Sequence, residues 1–348
     1  MIKTFDRLGS FLREVNNFYT HKKSFSQDYK EFFPPFQDLI KKITITNDWF
    51  RIEDLLITFD QWGKNLKKEK LEYWMSQYKL KKKNIKKILV IMPGNIPMVG
   101  FHDFLCVILS GHKIIIKLSK EDNLLLPFLC KIIIHENPIL KNKIKFTNNI
   151  FCEKFDYVIA TGNHNTARYF EYYFKIYPML LRKSRTSIAV LQGNETEKEL
   201  IYLNRDILTY SGRGCRNVGK IFIPHNYDIH LILKKSSVYE YVTKNYKYID
   251  NYKYYLSIYT MNKVFFQKNH FVIFKKEKND YSPISVVYYE FYNKKNINQL
   301  KKIILEKKEH IQCIVSKNFL EKEIYFGQTQ YPKLEDYSDE IDTIQFLN

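Results

Sequence analysis

The chain is poor in cysteine, and the few it has form no pattern. Cys106, Cys130, Cys152, Cys215 and Cys313 are the only five in 348 residues. An odd count without any CxxC spacing argues against a disulfide framework or a structural zinc site and fits a reducing compartment. His102, His112, His135 and His164 share no metal-ligand spacing. They read as surface or capping residues, and no metal is expected. No hydrophobic run approaches the length of a membrane span. The N-terminal stretch MIKTFDRLGSFLREVNNF alternates charged and apolar residues, unlike the continuous apolar segment of a signal peptide. A cytoplasmic protein with no membrane span is therefore expected. Walker and GxGxxG loops are absent, as are internal repeats and long linkers.

What the chain has is positive charge and aromatic residues. The net charge is +19 and the pI about 9.4, with 27 Tyr and 26 Phe. Such a charge can serve nucleic acid or an anionic surface. Here the lysines are scattered and travel with Asn, Ile, Tyr and Phe, as codon bias in an AT-rich genome produces. No nucleic-acid partner is expected, although a few of these charges suffice for a cleft that takes an anionic cofactor. At 45% hydrophobic residues the chain can build sizeable cores. Its length predicts two domains sharing a cleft.

The patterning changes along the chain. Residues 1 to about 85 read as helical: Phe5, Leu8, Phe11 and Leu12 recur at helix spacing, Pro34-Pro35 breaks the pattern, and Asn47 and Asp48 offer caps for a helix carrying Trp49, Ile52, Leu55 and Leu56. Lys81 to Lys87 is a basic link. From Ile88 short apolar runs alternate with helical stretches: ILVIMP, FHDFLCVIL, HKIIIKLS, a helix capped by Asp122, IKFT, YVIAT, NTARYFEYYF and SIAVLQG. That alternation predicts an α/β layer with a parallel sheet. Ligands of such sheets sit at the strands' C-terminal ends, where Asn95, Lys117, Ser119, Thr161 and Gly162 fall. After an acid-rich helix start, NETEKEL, comes TYSGRGCRNVGKIFIP, and then strands HFVIF, PISVVYYE and QCIVS around a helix near Leu300. Tyr239 to Tyr259 is rich in Tyr and Lys and weakly patterned; it reads equally as the lining of an apolar tunnel and as core.

The sharpest local feature is Gly212-Arg213-Gly214-Cys215-Arg216-Asn217. A reactive cysteine must be reachable and partly thiolate. The glycines allow close approach, and Arg213 and Arg216 favour the thiolate; the bland alternative is a small hydrophobe in a turn. The other four cysteines lie in apolar or helical stretches and read as packing positions. Asn95, in the rigid Pro93-Gly94-Asn95-Ile96-Pro97 turn, can donate to a developing oxyanion, or simply build an Asx-turn. Lys117 and Ser119 end a strand where a nucleotide ribose or phosphate can sit; a solvated strand end is the alternative. Thr161-Gly162-Asn163 precedes a helix whose N-terminus suits phosphate.

Taken in order, these motifs resemble the acyl-CoA reductase family of the LuxC type, within the aldehyde dehydrogenase superfamily. The resemblance runs from MPGNIPMVGFHDFL to FGQTQ. It implies an aldehyde dehydrogenase-like fold of two Rossmann-type α/β domains with a catalytic cleft between them. The implied oxyanion donor is Asn95, with Lys117 and Ser119 at the nucleotide-contacting strand end. Thr161 and Gly162 match the turn near the cofactor, with Asn163 in place of its serine, and Cys215 is the implied nucleophile. The chain departs from oxidising aldehyde dehydrogenases at Leu181-Arg182-Lys183-Ser184, where their glutamate-leucine-glycine-glycine motif carries the base for hydrolysis. Without a carboxylate there, thiol exchange or hydride transfer is favoured over water attack. Asp280, in Asn279-Asp280-Tyr281-Ser282-Pro283, aligns only loosely with the glutamate that holds the nicotinamide ribose.

The expected function is therefore NADPH-dependent reduction of acyl-CoA to a fatty aldehyde through a Cys215 acyl-enzyme, with NADH as the alternative cofactor. The rival is an acyl-transfer or non-catalytic acyl-thioester-binding protein. Residues 1–184 are expected to form the cofactor domain and residues 185–323 the catalytic domain. The tail, 324–348, is expected to return to the cofactor domain or to pair subunits in a homo-oligomer.

Overall fold

The apolar spacing at the N-terminus becomes a helix, α1 (Ile2–His21), on which Phe5, Leu8, Phe11 and Leu12 are all fully buried. Pro34 and Pro35 do not break the next helix but start it: they lie in the first turn of α2 (Phe33–Thr46), where a missing N–H costs nothing. Asn47 closes α2, and its Oδ1 accepts from the Trp49 N–H at 2.9 Å. As a result α3 (Ile52–Asn65) begins later than expected, with Arg51 as its flanking residue. A fourth helix, α4 (Lys68–Ser76), follows.

The computed structural model describes residues 1–80 and 84–348; residues 81–83 of the basic run lie outside them. The chain divides into two units, Met1–Lys183 with Lys333–Asn348, and Ser184–Pro332. Residues 324–332 thus stay with the second unit, and the returning tail begins at Lys333.

In the first unit the apolar runs form an all-parallel sheet of β1 (Lys87–Ile91), β2 (Lys113–Lys117), β3 (Ile144–Phe146), β4 (Tyr157–Thr161) and β5 (Met179–Arg182), in the order β3-β2-β1-β4-β5. The helices between them are α5 (Phe101–Leu109), α6 (Leu125–Glu136) and α7 (His164–Tyr173). β5 was not foreseen as a strand. Winding from β1 through β2 to β3 runs one way and β4 to β5 the other, so the strand order reverses between β1 and β4. Crevices at such reversals are where open α/β sheets bind ligands. The C-terminal helix α12 (Thr343–Leu347) packs in this unit. His112 is buried and His102 half-buried: their Nε2 atoms meet the Leu347 carbonyl at 3.2 Å and the Leu334 carbonyl at 2.9 Å, holding the returning tail.

The second unit holds β6 (Thr186–Val190), α8 (Glu197–Leu208), β7 (Val218–Pro224), α9 (His230–Lys235), α10 (Tyr246–Met261), β8 (Phe266–Lys268), β9 (Ile273–Lys276), β10 (Val286–Tyr292), α11 (Ile297–Glu306) and β11 (Ile311–Val315). The sheet order is β11-β6-β7-β10-β9-β8, parallel except for the β8–β9 edge pair. α8 starts with a reciprocal cap: Thr196 Oγ1 accepts from the Glu199 N–H, and Glu199 Oε2 accepts from the Thr196 N–H. The weakly patterned tyrosine segment is mostly α10. Tyr248, Tyr252 and Tyr259 are buried, the last two packing with Ile273, Val286 and Tyr288, while Tyr246 and Tyr254 face outward. These buried tyrosines are core residues.

Candidate active site

In the first unit the residues singled out by sequence lie together at one edge of the sheet. The turn after β1 carries Asn95, which is half-buried; Lys117 ends β2, and Thr161 ends β4. β1 lies between β2 and β4, so the three strand ends are neighbours. The Met92 N–H donates to the Lys117 carbonyl at 2.9 Å, extending the β1–β2 ladder into the turn. Gly94 is required by close approach: a Cβ there would lie 2.7 Å from Ser119 Oγ and 3.0 Å from the Asp122 nitrogen. Ser119 Oγ itself accepts from the Glu121 N–H at 3.2 Å.

Asp122 does not cap α6, as its position had suggested. Its carboxylate accepts from the Met98 N–H at 2.9 Å, and Met98 sits at φ 56°. Asp122 thus fastens the far end of the Asn95 turn. Desolvation pushes its carboxyl up to about 6, against the opposing pull of the Met98 N–H.

Lys117 is half-buried, and its ammonium donates to the Leu118 carbonyl at 3.4 Å; among the described residues no carboxylate pairs with it. An ammonium without a counter-carboxylate at a strand end fits the phosphate of a dinucleotide. Gly162 donates its N–H to the Arg182 carbonyl at 3.1 Å. Asn163 caps α7, its Oδ1 accepting from the Thr166 N–H at 2.9 Å and Thr166 Oγ1 at 3.0 Å. Its side-chain oxygen is thereby occupied locally, a role legible from its place before a helix.

In the second unit Cys215 lies in the loop between α8 and β7 and is exposed. Three successive residues before it, Tyr210, Ser211 and Gly212, hold left-handed backbone at φ 54°, 55° and 73°. Each non-glycine residue there costs about 1–2 kcal/mol, so the surrounding packing must hold the turn. Ser211 is fully buried and Tyr210 nearly so. Past the turn, Asn217 is buried and its carboxamide makes four hydrogen bonds. Oδ1 accepts from the Gly214 N–H at 2.8 Å, and Nδ2 donates to the carbonyls of Asp206, Ile207 and Thr209 at 3.0, 3.2 and 2.9 Å. Ser187 Oγ, on β6, donates to the Cys215 carbonyl at 2.8 Å. Asp206, fully buried, accepts from the N–H groups of Gly327 and Thr329 and from Thr329 Oγ1, and desolvation lifts its carboxyl to about 6. The FGQTQ segment is thus tied to the helix that carries the loop. Sequence reading missed Ser187, Asp206 and Asn217; only Asn217 stood inside the motif it singled out.

One expectation changes, at Cys152, and Arg216 and Asp280 have partners that the sequence did not show. Arg216 Nη1 donates to Cys313 Sγ at 3.4 Å, so part of this guanidinium serves the buried thiol of β11. Cys152 is exposed rather than a packing position, with Asn149 Nδ2 3.1 Å from its sulfur; Cys106, Cys130 and Cys313 are buried. Asp280 is committed to two lysines, Lys220 Nζ at 3.1 Å and Lys307 Nζ at 2.7 Å, which outweigh its desolvation and hold its carboxyl below the usual range. Leu181, on β5, packs partly buried among apolar neighbours that include Leu89, Ile91 and Val158.

No curated protein sequence matches the chain. Solved structures do. The indole-3-acetaldehyde dehydrogenase AldA of P. syringae, in complex with NAD+ and IAA, matches at 10% identity and TM-score 0.65, over 90% of this chain and 70% of that one. The aldehyde dehydrogenase KauB from Pseudomonas aeruginosa matches at 10% identity and TM-score 0.65, over 90% and 71%. An aldehyde dehydrogenase of Bacillus cereus, as its NAD+ complex, matches at 12% identity and TM-score 0.59, over 90% and 70%. At these identities the likeness establishes the fold: two Rossmann-type α/β units of the aldehyde dehydrogenase kind. The acyl-CoA reductase (LuxC) profile matches residues 63–315, a span that runs from α3 through β11 and includes every candidate residue described above. That span is well over half of the chain, which therefore belongs to the acyl-CoA reductase (LuxC) family.

Proposed function

We propose that the chain reduces acyl-CoA to a fatty aldehyde through a thioester on Cys215, with NADPH as reductant. The observation that carries this reading is the Cys215 loop: an exposed cysteine on a backbone held from both sides, in a chain of this family. NAD+ in the P. syringae and B. cereus enzymes supports a nicotinamide cofactor, and the Lys117 ammonium, which meets no carboxylate among the described residues, favours the extra phosphate of NADPH over NADH.

The Cys215 thiolate attacks the acyl-CoA carbonyl carbon. In this reading the Cys215 N–H donates to the oxyanion, and the family resemblance implies a second donor role for Asn95. As the oxyanion collapses, the bond to the CoA sulfur breaks, and CoA leaves and takes up a proton. Bound NADPH supplies the hydride that turns the thioester into an aldehyde. Cys215 is then released as thiolate, ready for the next acyl group. Leu181 offers no base for water, so the acyl-enzyme waits for hydride or a thiol.

The test mixes protein, NADPH and an acyl-CoA series of increasing chain length and follows the nicotinamide absorbance. Consumption that requires acyl-CoA and yields aldehyde supports the reading. CoA release without consumption overturns it in favour of acyl transfer.

A further inference from the structure

We infer that Asn217, with Ser187, is the positioning residue that aims the Cys215 N–H at the oxyanion, an inference that rests on the acyl-enzyme reading above. Asn217 grips Gly214 at both ends. Its Oδ1 accepts the Gly214 N–H at 2.8 Å, and its own N–H donates to the Gly214 carbonyl at 3.0 Å. That second bond comes from the Asn217 backbone; the carboxamide, through the Gly214 N–H and the carbonyls near the end of α8, holds the turn in which it forms. In a trans peptide the C=O and N–H point in opposite directions. Fixing the Gly214 carbonyl therefore fixes the direction of the Cys215 N–H, which shares its peptide plane. The next peptide plane is fixed independently by Ser187 Oγ on the Cys215 carbonyl. With both planes held, Cys215 has little backbone freedom, while its side chain remains exposed.

The same carboxamide anchors the clamp to a rigid element. Its Nδ2 takes the carbonyls of Asp206 and Ile207, in the last turn of α8 where a helix leaves carbonyls without intrahelical partners, and of Thr209 just beyond it. The strained left-handed turn between α8 and Cys215 is thus bridged by one side chain. Neither Asn217 nor Ser187 touches the reacting atoms in this scheme; they act through the Cys215 backbone.

Two reactions of the same sulfur separate this role from a merely structural one. Acylation by p-nitrophenyl acetate or acyl-CoA develops an oxyanion at the carbonyl; alkylation by iodoacetamide displaces iodide and develops none. Asn217→Ala and Ser187→Ala should each slow Cys215 acylation by about tenfold or more, the scale of loss from small misplacement. Alkylation of the same residue, mapped by peptide mass spectrometry, should change far less. Equal losses in both reactions, or unchanged acylation in a folded variant, overturn the inference. Should Asn217→Ala fail to fold, Ser187→Ala decides alone, because it removes a single hydroxyl. Wild-type protein that is alkylated but never acylated at Cys215 overturns the acyl-enzyme reading itself, a failure visible before any variant is made.

Discussion

Arg182 and Asp103 form a buried ion pair beneath the end of β5, with Nη2 2.8 Å from Oδ1 and Nε 3.3 Å from Oδ2. Thr343 completes it: Oγ1 accepts from Arg182 Nη2 at 2.7 Å and donates to Asp103 Oδ1 at 3.2 Å. The Ser338 carbonyl accepts from Nη1. Burial alone would raise the Asp103 carboxyl; the guanidinium outweighs it and holds the group below the ordinary range. The arrangement pins the C-terminal segment to the first unit.

Removing one partner leaves the other charge buried and unpaired. Asp103→Ala should therefore cost about 3–5 kcal/mol of stability, measured by urea unfolding. A loss under about 1 kcal/mol, the scale of an exposed pair, would show that water already reaches the pair.

Lys117→Ala should weaken NADPH binding more than NADH binding. A charge-assisted phosphate contact contributes roughly 1.5–3 kcal/mol, or about tenfold to a hundredfold in affinity. Titration of both cofactors against wild type and variant is the check. Equal losses rule out a phosphate-specific role for the ammonium.

With Leu181 apolar and packed, acyl-enzyme formed without reductant should persist. Intact-protein mass spectrometry after incubation with acyl-CoA should show one acyl adduct that disappears on adding NADPH or free CoA. Rapid spontaneous loss would mean that another side chain supplies the base.

Cys215→Ser should fold and bind NADPH yet lose nearly all acyl-CoA-dependent turnover, because a hydroxyl is a far weaker nucleophile near neutral pH. Alkylation should reach both exposed thiols, Cys152 and Cys215, with only Cys215 protected by acyl-CoA. Cys152→Ser should leave turnover unchanged. An acyl adduct mapped to any cysteine but Cys215 would falsify the assignment.

Asp122 supplies a pH signature. Its folded pKa is raised from 3.8 to about 6 by desolvation. The folded state therefore holds the proton more tightly than the unfolded state. This contribution to stability is complete below about pH 4 and is lost as pH rises through about 6. Asn at this position keeps an acceptor for the Met98 N–H and does not ionise. The Tm of Asp122→Asn minus that of wild type should increase from pH 4 to 6 and then level off. A flat difference across that window would show that Asp122 is solvated.

Much of the first unit was legible in sequence because local pattern and tertiary packing agree there. The runs ILVI and KIIIK are apolar on both faces, as strands covered on both sides must be, and their polar ends mark the sheet edge where ligands bind. The motif containing Cys215 was legible for a similar reason: glycines and a thiol in one short segment report on backbone approach. The caps were less so. Asn47 and Asp122 are good capping residues by type, but one turns its oxygen to a neighbouring turn and the other to Met98. Local propensity says that such a side chain will bond backbone N–H groups; it does not say which ones.

By itself the sequence determined the α/β alternation, the turn after β1, the nucleophile candidate and the lack of a carboxylate at Leu181, since each depends on residues adjacent in the chain. Tertiary structure decided what holds Cys215 from outside its own loop: Ser187 lies 28 residues away, and Asp206, on the helix before the loop, reaches Thr329 across 123. It also decided that Cys152 is exposed while Cys313 is buried, and that Asp280 is committed to Lys220 and Lys307. The physical reason is the same in each case. Burial and hydrogen-bond partnership depend on which distant segments the parallel crossovers bring side by side, and no short window of sequence encodes that juxtaposition.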